Sequence, residues 1–347
     1  MTSISKQRRL AAAGAGDAQA GGMEDRMHRI GRRAAVLGTA SALLASSPAF
    51  AQTGRPSALR GKDGWVYGIW DKAVPVDPRQ ANETRQVLTD TVSLLRQAGI
   101  ATAFCLVPAK ATVYPDFAPE ELLAPARGPT RYAEGLQVLR GCGGIAADLA
   151  ALFARLRREA PAEPLYFKTD SHWTAFAAEA AAAETAKLVA ERLTLPKSTR
   201  PFTRLGVAVR QPYTRHDLVP LLPPAERSAV AAETQMIRPP LQGGGLIDDD
   251  KADVAVIGSS YMNTPYNFAP ALSQALARPV SLMWKQLPNS VFDVMREYLE
   301  GPSFRKNRPA LIVWNFVETN VFLGPNVALQ PLRPDQFLAR VRGALAA

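Results

Sequence analysis

The sequence predicts an α/β fold in which a mostly parallel central sheet is covered by helices on both faces. Two almost continuous apolar runs, residues 100–107 and 310–317, have the composition of strands that are buried on both faces. Candidate strands alternate with helical patterns along most of the chain, which is typical of parallel strands joined by crossover helices. A hydrophobic content of 47% and a charged content of 21% exclude a wholly disordered chain.

The first predicted elements are a turn and a short strand over residues 60–67, where Gly61 and Gly64 precede apolar and aromatic side chains. Residues 81–98 carry apolar side chains at helical spacing, and Gly99 is the expected stop signal. The other elements expected before residue 196 are the strand over 100–107, helices over 130–140 and 146–158, a short strand over 165–167 and an alanine-rich helix over 174–193.

Residues 196–250 interrupt this alternation. They are rich in proline, and they end with a run of glycines at 243–245 and a run of aspartates at 248–250. Irregular segments of this length usually serve a function or are mobile, so we interpret this one as an insertion that borders the active site. The alternation then resumes with strands over 254–257, 280–284 and 310–317 and helices over 264–276, 291–299 and 335–345.

The N-terminal segment has the layout of a cleaved export signal. A basic stretch with Arg29, Arg32 and Arg33 precedes an apolar run over 34–44, and a small-residue site follows at 49–51. The apolar run is short for a membrane span, which argues against a permanent anchor. We therefore expect a periplasmic protein, and the paired Arg32 and Arg33 are compatible with a twin-arginine signal.

The expected organisation is an extension with an export signal over 1–51, followed by one domain over 52–347. Seven basic and three acidic residues lie in 1–51, so the domain keeps a charge of +6 out of the chain's +10. The basic residues of the domain are scattered, and export also argues against a nucleic-acid partner. Because the chain has no phosphate-binding glycine loop and no cluster with zinc spacing, we expect neither a cofactor nor a metal.

A serine after a predicted strand is the first candidate nucleophile. The segment Gly-Ser-Ser-Tyr at 258–261 follows the strand over 254–257, and open α/β sheets bind ligands at the carboxyl ends of their strands. The turn there can direct backbone N–H groups at an oxyanion, as nucleophile elbows do. The chain lacks the G-x-S-x-G pattern of ordinary α/β-hydrolases, and a plain Gly-Ser turn is the structural alternative.

Asp170 and His172 are the candidate partners of that serine. Side chains two residues apart point the same way in an extended segment, and a carboxylate beside an imidazole stabilises the imidazolium. A solvated loop, or a helix N-terminus capped by Asp170 or Ser171, is the structural alternative. Of the other histidines, His28 precedes the expected cleavage site. We interpret His216 in the insertion as a loop residue, and a residue that lines the site is the alternative.

Further polar side chains follow the two long apolar runs. Lys110 and Tyr114 come after the first run, and Glu318 and Asn320 come after the last. Parallel strands end at one edge of a sheet, so these residues and Tyr261 are candidates for binding a substrate. An ordinary surface position is the alternative for each.

Cys105 and Cys142 are the two cysteines of the chain. An exported protein could join them in a disulfide. Because Cys105 lies within an apolar run, we favour a core thiol at that position.

The chain contains four segments in this order: GKDGWVY at 61–67, VPAKATVYP at 107–115, YFKTDSHWT at 166–174 and VIGSSY at 256–261. Together they resemble a known family, the SGNH-hydrolase-like domain of the alginate O-acetyltransferase (AlgJ/AlgX-like) proteins. In this family the Asp-His pair precedes the serine, the reverse of ordinary SGNH esterases, and this chain has the same order. The Asp-x-His-Trp-Thr segment is the most specific part of the resemblance, which covers nearly all of residues 52–347.

The resemblance implies a flavodoxin-like α/β/α sandwich and a catalytic triad. Ser260, rather than Ser259, would be the nucleophile, His172 the general base and Asp170 the residue that orients it. The resemblance also implies a membrane-bound O-acyltransferase as the acetyl donor. The chain departs from the family where a Trp-Glu-x-x-Glu-Arg-like segment is expected, because Trp-Asn-Phe-Val-Glu-Thr stands at 314–319 and supplies no arginine to position a substrate.

The predicted function is the transfer of an acetyl group, through a serine acyl-enzyme, onto hydroxyl groups of an exopolysaccharide, alginate-like or other. A carbohydrate acetylesterase with the same triad is one alternative, because acyl transfer and hydrolysis differ in the acceptor. A non-catalytic protein that binds or assembles polysaccharide is the other alternative.

Overall fold

The fold is described from a computed structural model of the chain. The described residues are 57–123, 130–227, 230–241, 252–286, 289–327 and 330–347. The expected export signal and the glycine and aspartate runs of the insertion lie outside these residues. Among the helices of the described residues, none has both the length and the apolar character that a membrane crossing requires.

The secondary structure of the described residues alternates between strands and helices along most of the chain. The strands are β1 (Ala58–Arg60), β2 (Val66–Gly68), β3 (Ala101–Val107), β4 (Ile145–Ala146), β5 (Val209–Tyr213), β6 (Glu233–Ile237), β7 (Val254–Gly258), β8 (Val280–Trp284) and β9 (Leu311–Val317). The helices are α1 (Pro78–Gln97), α2 (Lys110–Val113), α3 (Arg131–Gly141), α4 (Leu149–Glu159), α5 (Ala175–Arg192), α6 (Phe268–Leu276), α7 (Val291–Glu300), α8 (Pro302–Lys306) and α9 (Pro334–Ala346).

Five strands form one parallel sheet with the spatial order β4-β3-β9-β7-β8. The last strand of the described residues, β9, lies between β3 and β7. The chain passes from β3 to β4 on one side of β9 and from β7 to β8 on the other side, so these two connections lead in opposite directions. Such a reversal of strand order is where open α/β sheets bind ligands, at the carboxyl ends of the strands. The predicted α/β fold with a mostly parallel central sheet is confirmed.

The side chains of β9 alternate between two hydrophobic cores. Ile312, Trp314 and Phe316 pack with the layer of α1, α3, α7 and α9, whereas Leu311 and Val313 pack with α4, α5 and α6. Since helices cover both faces, the strand residues are buried whichever way they point. This double burial explains the almost continuous apolar run in the sequence.

Helix α5 begins directly after the Asp-x-His-Trp segment. Thr174 is its N-cap, with a side chain that accepts a hydrogen bond from the backbone N–H of Ala177. The buried face of α5 consists largely of alanine, which allows close packing against neighbouring helices and the sheet. The start of α5 therefore anchors one end of the loop that carries His172.

Two local predictions were wrong, and the helix predicted over 264–276 was correct only for its larger, C-terminal part. Residues 165–167 form no strand of the sheet, because Tyr166 instead makes one antiparallel bridge with Trp173 across a tight loop. Residues 264–276 form a short 3-10 turn followed by α6, and Asn267 between them adopts a left-handed conformation with φ of 64°. The insertion, which we expected to be irregular, contains the antiparallel hairpin β5–β6, in which Pro212 stands on β5.

Cys105 and Cys142 are both buried free thiols. Cys105 lies on β3 with no exposed surface, as expected for a core thiol.

Gly258 at the end of β7 provides a test of the close packing between β7 and β9. A Cβ at this position would lie 2.5 Å from the Cβ of Asn315, a fully buried residue that cannot move easily. We expect Gly258→Ala to lower the free energy of unfolding by about 1–3 kcal/mol, as overpacked cores generally do. Urea denaturation followed by circular dichroism measures the loss.

Gly343 in α9 supplies the matched control, because a Cβ there meets no atom within 4 Å. Gly343→Ala should leave stability unchanged or raise it by up to about 1 kcal/mol, since alanine favours a helix interior over glycine. Equal unfolding midpoints for the two variants would contradict the packing described at the end of β7.

Candidate active site

Ser260, His172 and Asp170 form a continuous chain of hydrogen-bond contacts. The Oγ of Ser260 lies 2.8 Å from the Nε2 of His172, and the Nδ1 of His172 lies 2.6 Å from the Oδ1 of Asp170. His172 and Asp170 are buried, whereas Ser260 is half-buried. The structure therefore brings together the three residues that the sequence singled out, in the arrangement by which a base activates a serine nucleophile.

A tight loop, rather than an extended strand, aligns Asp170 with His172. The Oδ1 of Asp170 also accepts the backbone N–H of His172 at 2.9 Å, which fixes both residues in one turn. The loop is closed by a hydrogen bond from the backbone N–H of Phe167 to the carbonyl of His172. The expected pairing thus occurs, but its geometric basis differs from the strand alternation that we assumed.

Asn315 fixes the serine turn from the neighbouring strand. Its Oδ1 accepts the backbone N–H of Ser259 at 3.1 Å and the hydroxyl of Ser259 at 2.8 Å. Its amide group donates to the carbonyls of Cys105 and Phe316. Ser259 is therefore engaged with the sheet, and Ser260, which starts a single 3-10 turn after β7, faces His172. The only sequence signal for Asn315 was one polar residue within an apolar run.

The charges of the site favour an ionised pair. Burial disfavours the imidazolium, but the carboxylates of Asp170 and Asp217 outweigh that effect and raise the pKa of His172 to about 9. Burial also opposes the ionisation of Asp170, yet the adjacent His172 holds the pKa of Asp170 below its ordinary value. The rings of Tyr261 and Tyr266 flank the imidazole, with centroids 4.8 Å and 5.2 Å from it.

The insertion contributes a second carboxylate, Asp217, which sequence analysis missed. Its Oδ2 lies 3.5 Å from the Nδ1 of His172. The insertion borders the candidate site as expected, although His216 itself contacts the hydroxyl of Thr169 at 2.7 Å and not Ser260. The sequence contained only a weak indication of this role, namely an acidic residue directly after His216.

Asp170, His172 and Asp217 also form a possible donor set for a metal ion. Their potential ligand atoms lie within 4.8 Å of one another. In the structure, however, the Nδ1 of His172 makes a short contact with Asp170, and Asp217 accepts two hydrogen bonds from Ser171. We therefore interpret the three residues as a hydrogen-bonded network.

Lys110 lies beneath the site. It is 1% exposed, and its Nζ donates to the backbone carbonyls of Val66 at 2.6 Å, Lys168 at 2.8 Å and Asp170 at 3.1 Å. An ammonium group has three protons, so each has an acceptor within the protein. Lys110 thus supports the loop that carries Asp170 and has no donor left for a substrate, and it is not a surface lysine either.

Three other substrate-binding candidates also bond within the protein. The hydroxyl of Tyr114 accepts the backbone N–H of Leu165 at 2.9 Å, and the buried carboxylate of Glu318 accepts that of Ala109 at 2.7 Å. The side chain of Asn320 accepts a backbone N–H at the end of β9. These side chains stabilise the sheet edge on which the candidate site is built.

Tyr261 lies closer to the candidate triad. Its hydroxyl donates to the carbonyl of Ser171 at 2.6 Å, and its own carbonyl accepts the indole N–H of Trp173 at 2.9 Å. Tyr261 therefore connects the serine turn to both sides of His172.

Comparisons with known proteins point to one family. The family model described as "SGNH hydrolase-like domain, acetyltransferase AlgX" matches residues 58–318. A relative named "Probable alginate O-acetylase AlgJ" from Pseudomonas aeruginosa is 27% identical over 283 residues, which cover 76% of this chain and 70% of the relative. The Pseudomonas fluorescens protein of the same name is 28% identical over 281 residues, which cover 76% of this chain and 68% of that relative.

A solved structure gives the same fold. The O-acetyltransferase domain of Pseudomonas putida AlgJ superposes with a TM-score of 0.65 at 23% sequence identity, and the match covers 84% of this chain and all of that domain. The family match contains all five strands of the central sheet, together with both segments that carry the candidate triad. The chain therefore belongs to the AlgX family of SGNH hydrolase-like acetyltransferase domains, as the four sequence segments predicted.

Proposed function

We propose that the protein transfers an acetyl group, through an acyl-enzyme at Ser260, onto hydroxyl groups of an exopolysaccharide. The observation that carries the proposal is the unbroken contact chain from Asp170 through His172 to Ser260. Two relatives are named for the acetylation of alginate, which supports an alginate-like polymer as the acceptor.

The setting of the reaction is part of the proposal. Residues 52–347 would be the acetyltransferase domain, exported to the periplasm by the signal within 1–51. A membrane-bound O-acyltransferase would supply the acetyl group, so the partners are this donor and the polysaccharide.

The first half of the reaction loads the enzyme. The Oγ of Ser260 attacks the acetyl carbonyl of the donor while its proton passes to the Nε2 of His172. Asp170 stabilises the imidazolium that forms. The tetrahedral intermediate then collapses, the donor group leaves with the proton from His172, and the acetyl group remains on Ser260.

The second half transfers the acetyl group to the polymer. His172, again neutral, takes the proton of a sugar hydroxyl, and the sugar oxygen attacks the carbonyl carbon of the acyl-enzyme. The bond to Ser260 breaks, and His172 returns its proton to the Oγ of Ser260.

Backbone N–H groups of the serine turn are the proposed oxyanion donors in both halves. The N–H of Ser259 is bonded to Asn315 and is therefore engaged. The N–H groups of Ser260 and Tyr261 open the following 3-10 turn, where such groups lack partners within the helix itself. The loss of one oxyanion donor typically costs about 10²–10³ in rate.

The adjacent serines allow a matched test of the nucleophile. Ser260→Ala should lower the release of acetate from a chromogenic acetyl ester by about 10³-fold or more, because it removes the attacking atom. Ser259→Ala removes only a hydroxyl that donates to Asn315, and its N–H still holds the turn, so we expect a much smaller loss. Equal losses in the two variants, or none, would refute the assignment of Ser260.

The acceptor is tested by product analysis. The purified protein, given the chromogenic acetyl ester and oligomannuronate, should yield acetylated oligosaccharide detectable by mass spectrometry. Acetate release that is unaffected by the oligosaccharide, with no acetylated product, would indicate the acetylesterase alternative. The absence of both activities in folded protein would indicate a non-catalytic role in binding or assembly.

The pH dependence of the reaction follows from the raised pKa of His172. A general base must be neutral, and the pKa of about 9 means that the imidazole loses its proton only as the pH rises through that range. We therefore expect kcat/KM to rise with pH, and the midpoint of this rise to lie well above 6.5, the ordinary pKa of histidine. A midpoint at or below 6.5 would contradict the influence of the two carboxylates.

A further inference from the structure

Three side chains of the insertion hold the loop that carries His172. The carboxylate of Glu233 accepts the backbone N–H groups of Lys168 at 2.5 Å and Thr169 at 3.0 Å. His216 contacts the hydroxyl of Thr169 at 2.7 Å. Asp217 is the third, and it binds the loop one residue before His172.

Asp217 makes a bidentate contact with Ser171. Its Oδ1 accepts the backbone N–H of Ser171 at 2.7 Å, and its Oδ2 accepts the hydroxyl at 2.6 Å. The same Oδ2 lies 3.5 Å from the Nδ1 of His172, and the hydroxyl oxygen of Ser171 lies 3.3 Å from that nitrogen. The side chain of Asp217 is 18% exposed, so its charge is only partly screened by solvent.

We propose that Asp217 is a positioning residue and a second anionic partner of His172, through which the insertion keeps the imidazole aligned with Ser260. This inference rests on the proposed function for its catalytic meaning. Asp170 holds the Nδ1 side of the ring directly, whereas Asp217 holds the backbone and hydroxyl of Ser171 and places a second negative charge beside the same nitrogen.

The role fits the chemistry of the proposed cycle. His172 becomes an imidazolium twice in each turnover, and a nearby negative charge lowers the free energy of that state. Other titratable groups face Asp170 or His172 from several elements. The hydroxyl of Tyr213, the guanidinium of Arg215 and the ammonium of Lys110 lie on the side of Asp170, and the rings of Tyr261 and Tyr266 lie against His172.

Asp217 and Glu233 form a matched pair for the test. Both are carboxylates of the insertion that accept backbone N–H groups of the same loop, but of the two it is Asp217 that lies 3.5 Å from the Nδ1 of His172. The variants Asp217→Asn and Glu233→Gln each keep the shape of the side chain and remove its charge. A structural anchoring role alone predicts similar effects of the two substitutions on His172.

Nuclear magnetic resonance of the imidazole ring during a pH titration measures the effect directly. The chain contains only three histidines, and a His172→Gln sample assigns the signal. We expect Asp217→Asn to lower the pKa of His172 by about one unit, the low end of the range for an opposite charge within 4–6 Å. Glu233→Gln should leave that pKa unchanged, and Asp217→Glu should restore most of the lost shift.

Kinetics supply the second readout. The acid limb of kcat/KM in Asp217→Asn should move to lower pH by the same amount, while the KM for oligosaccharide stays unchanged because Asp217 is assigned no substrate contact. Asp217→Ala should move the limb in the same direction and also lower kcat, since the anchor of Ser171 is lost. Asp217→Ala keeps the test decisive if Asp217→Asn does not fold.

The possible failures can be told apart. An unshifted His172 in folded Asp217 variants, or an equal shift in Glu233→Gln, overturns this inference whether or not the protein acetylates sugars. If the pKa of His172 shifts in the Asp217 variants but the wild-type protein transfers no acetyl group, the proposed function is overturned and the placement of Asp217 stands.

Discussion

The carboxylate of Asp170 is fully buried, and its contact with His172 is the interaction on which the rest of the site depends. An isolated buried charge costs several kcal/mol, so both partners must be held in place for the pair to form. Lys110 binds the carbonyl of Asp170 from below, Tyr261 binds the carbonyl of Ser171, and Asp217 binds the other side of Ser171. The sheet edge, the serine turn and the insertion therefore all converge on one loop.

The topology of the sheet explains why the loop and the serine meet. Strand β9 separates β3 from β7, so the polar side chain of Asn315 on β9 can reach the turn that follows β7. Gly258 leaves the space that Asn315 occupies. In consequence Ser259 faces the sheet and Ser260 faces His172, which is how two adjacent serines come to have different environments.

Much of the fold was predictable because double burial leaves a strong signal. The runs that became β3 and β9 are nearly free of polar residues, and the helices show clear caps and periodicity. The pairing of Asp170 with His172 was also foreseen, although an extended strand was the wrong reason for it. The β5–β6 hairpin was missed, because the proline-rich composition of its surroundings obscures the alternation of a strand.

The role of Asp217 and the burial of Lys110 could not be read from the sequence. Both depend on contacts between segments far apart in the chain, and short polar residues in an irregular segment carry no periodic pattern. Lys110 is an example. The sequence correctly placed it after β3 at the sheet edge, but it did not predict that the side chain is buried within the protein. A charged residue at a sheet edge faces solvent or protein according to the loops that cover it, here those around Val66 and Lys168.

In the proposed reaction, Ser260 carries the acetyl group between donor and acceptor. Acid quenching of the protein after incubation with an acetyl donor and no sugar, followed by peptide mapping by mass spectrometry, tests it directly. We expect one added acetyl group on the peptide that contains Ser260, and its loss when oligosaccharide is supplied before quenching. An acetyl group at another residue, or acetylated sugar formed by protein that never carries the acetyl group, would contradict it.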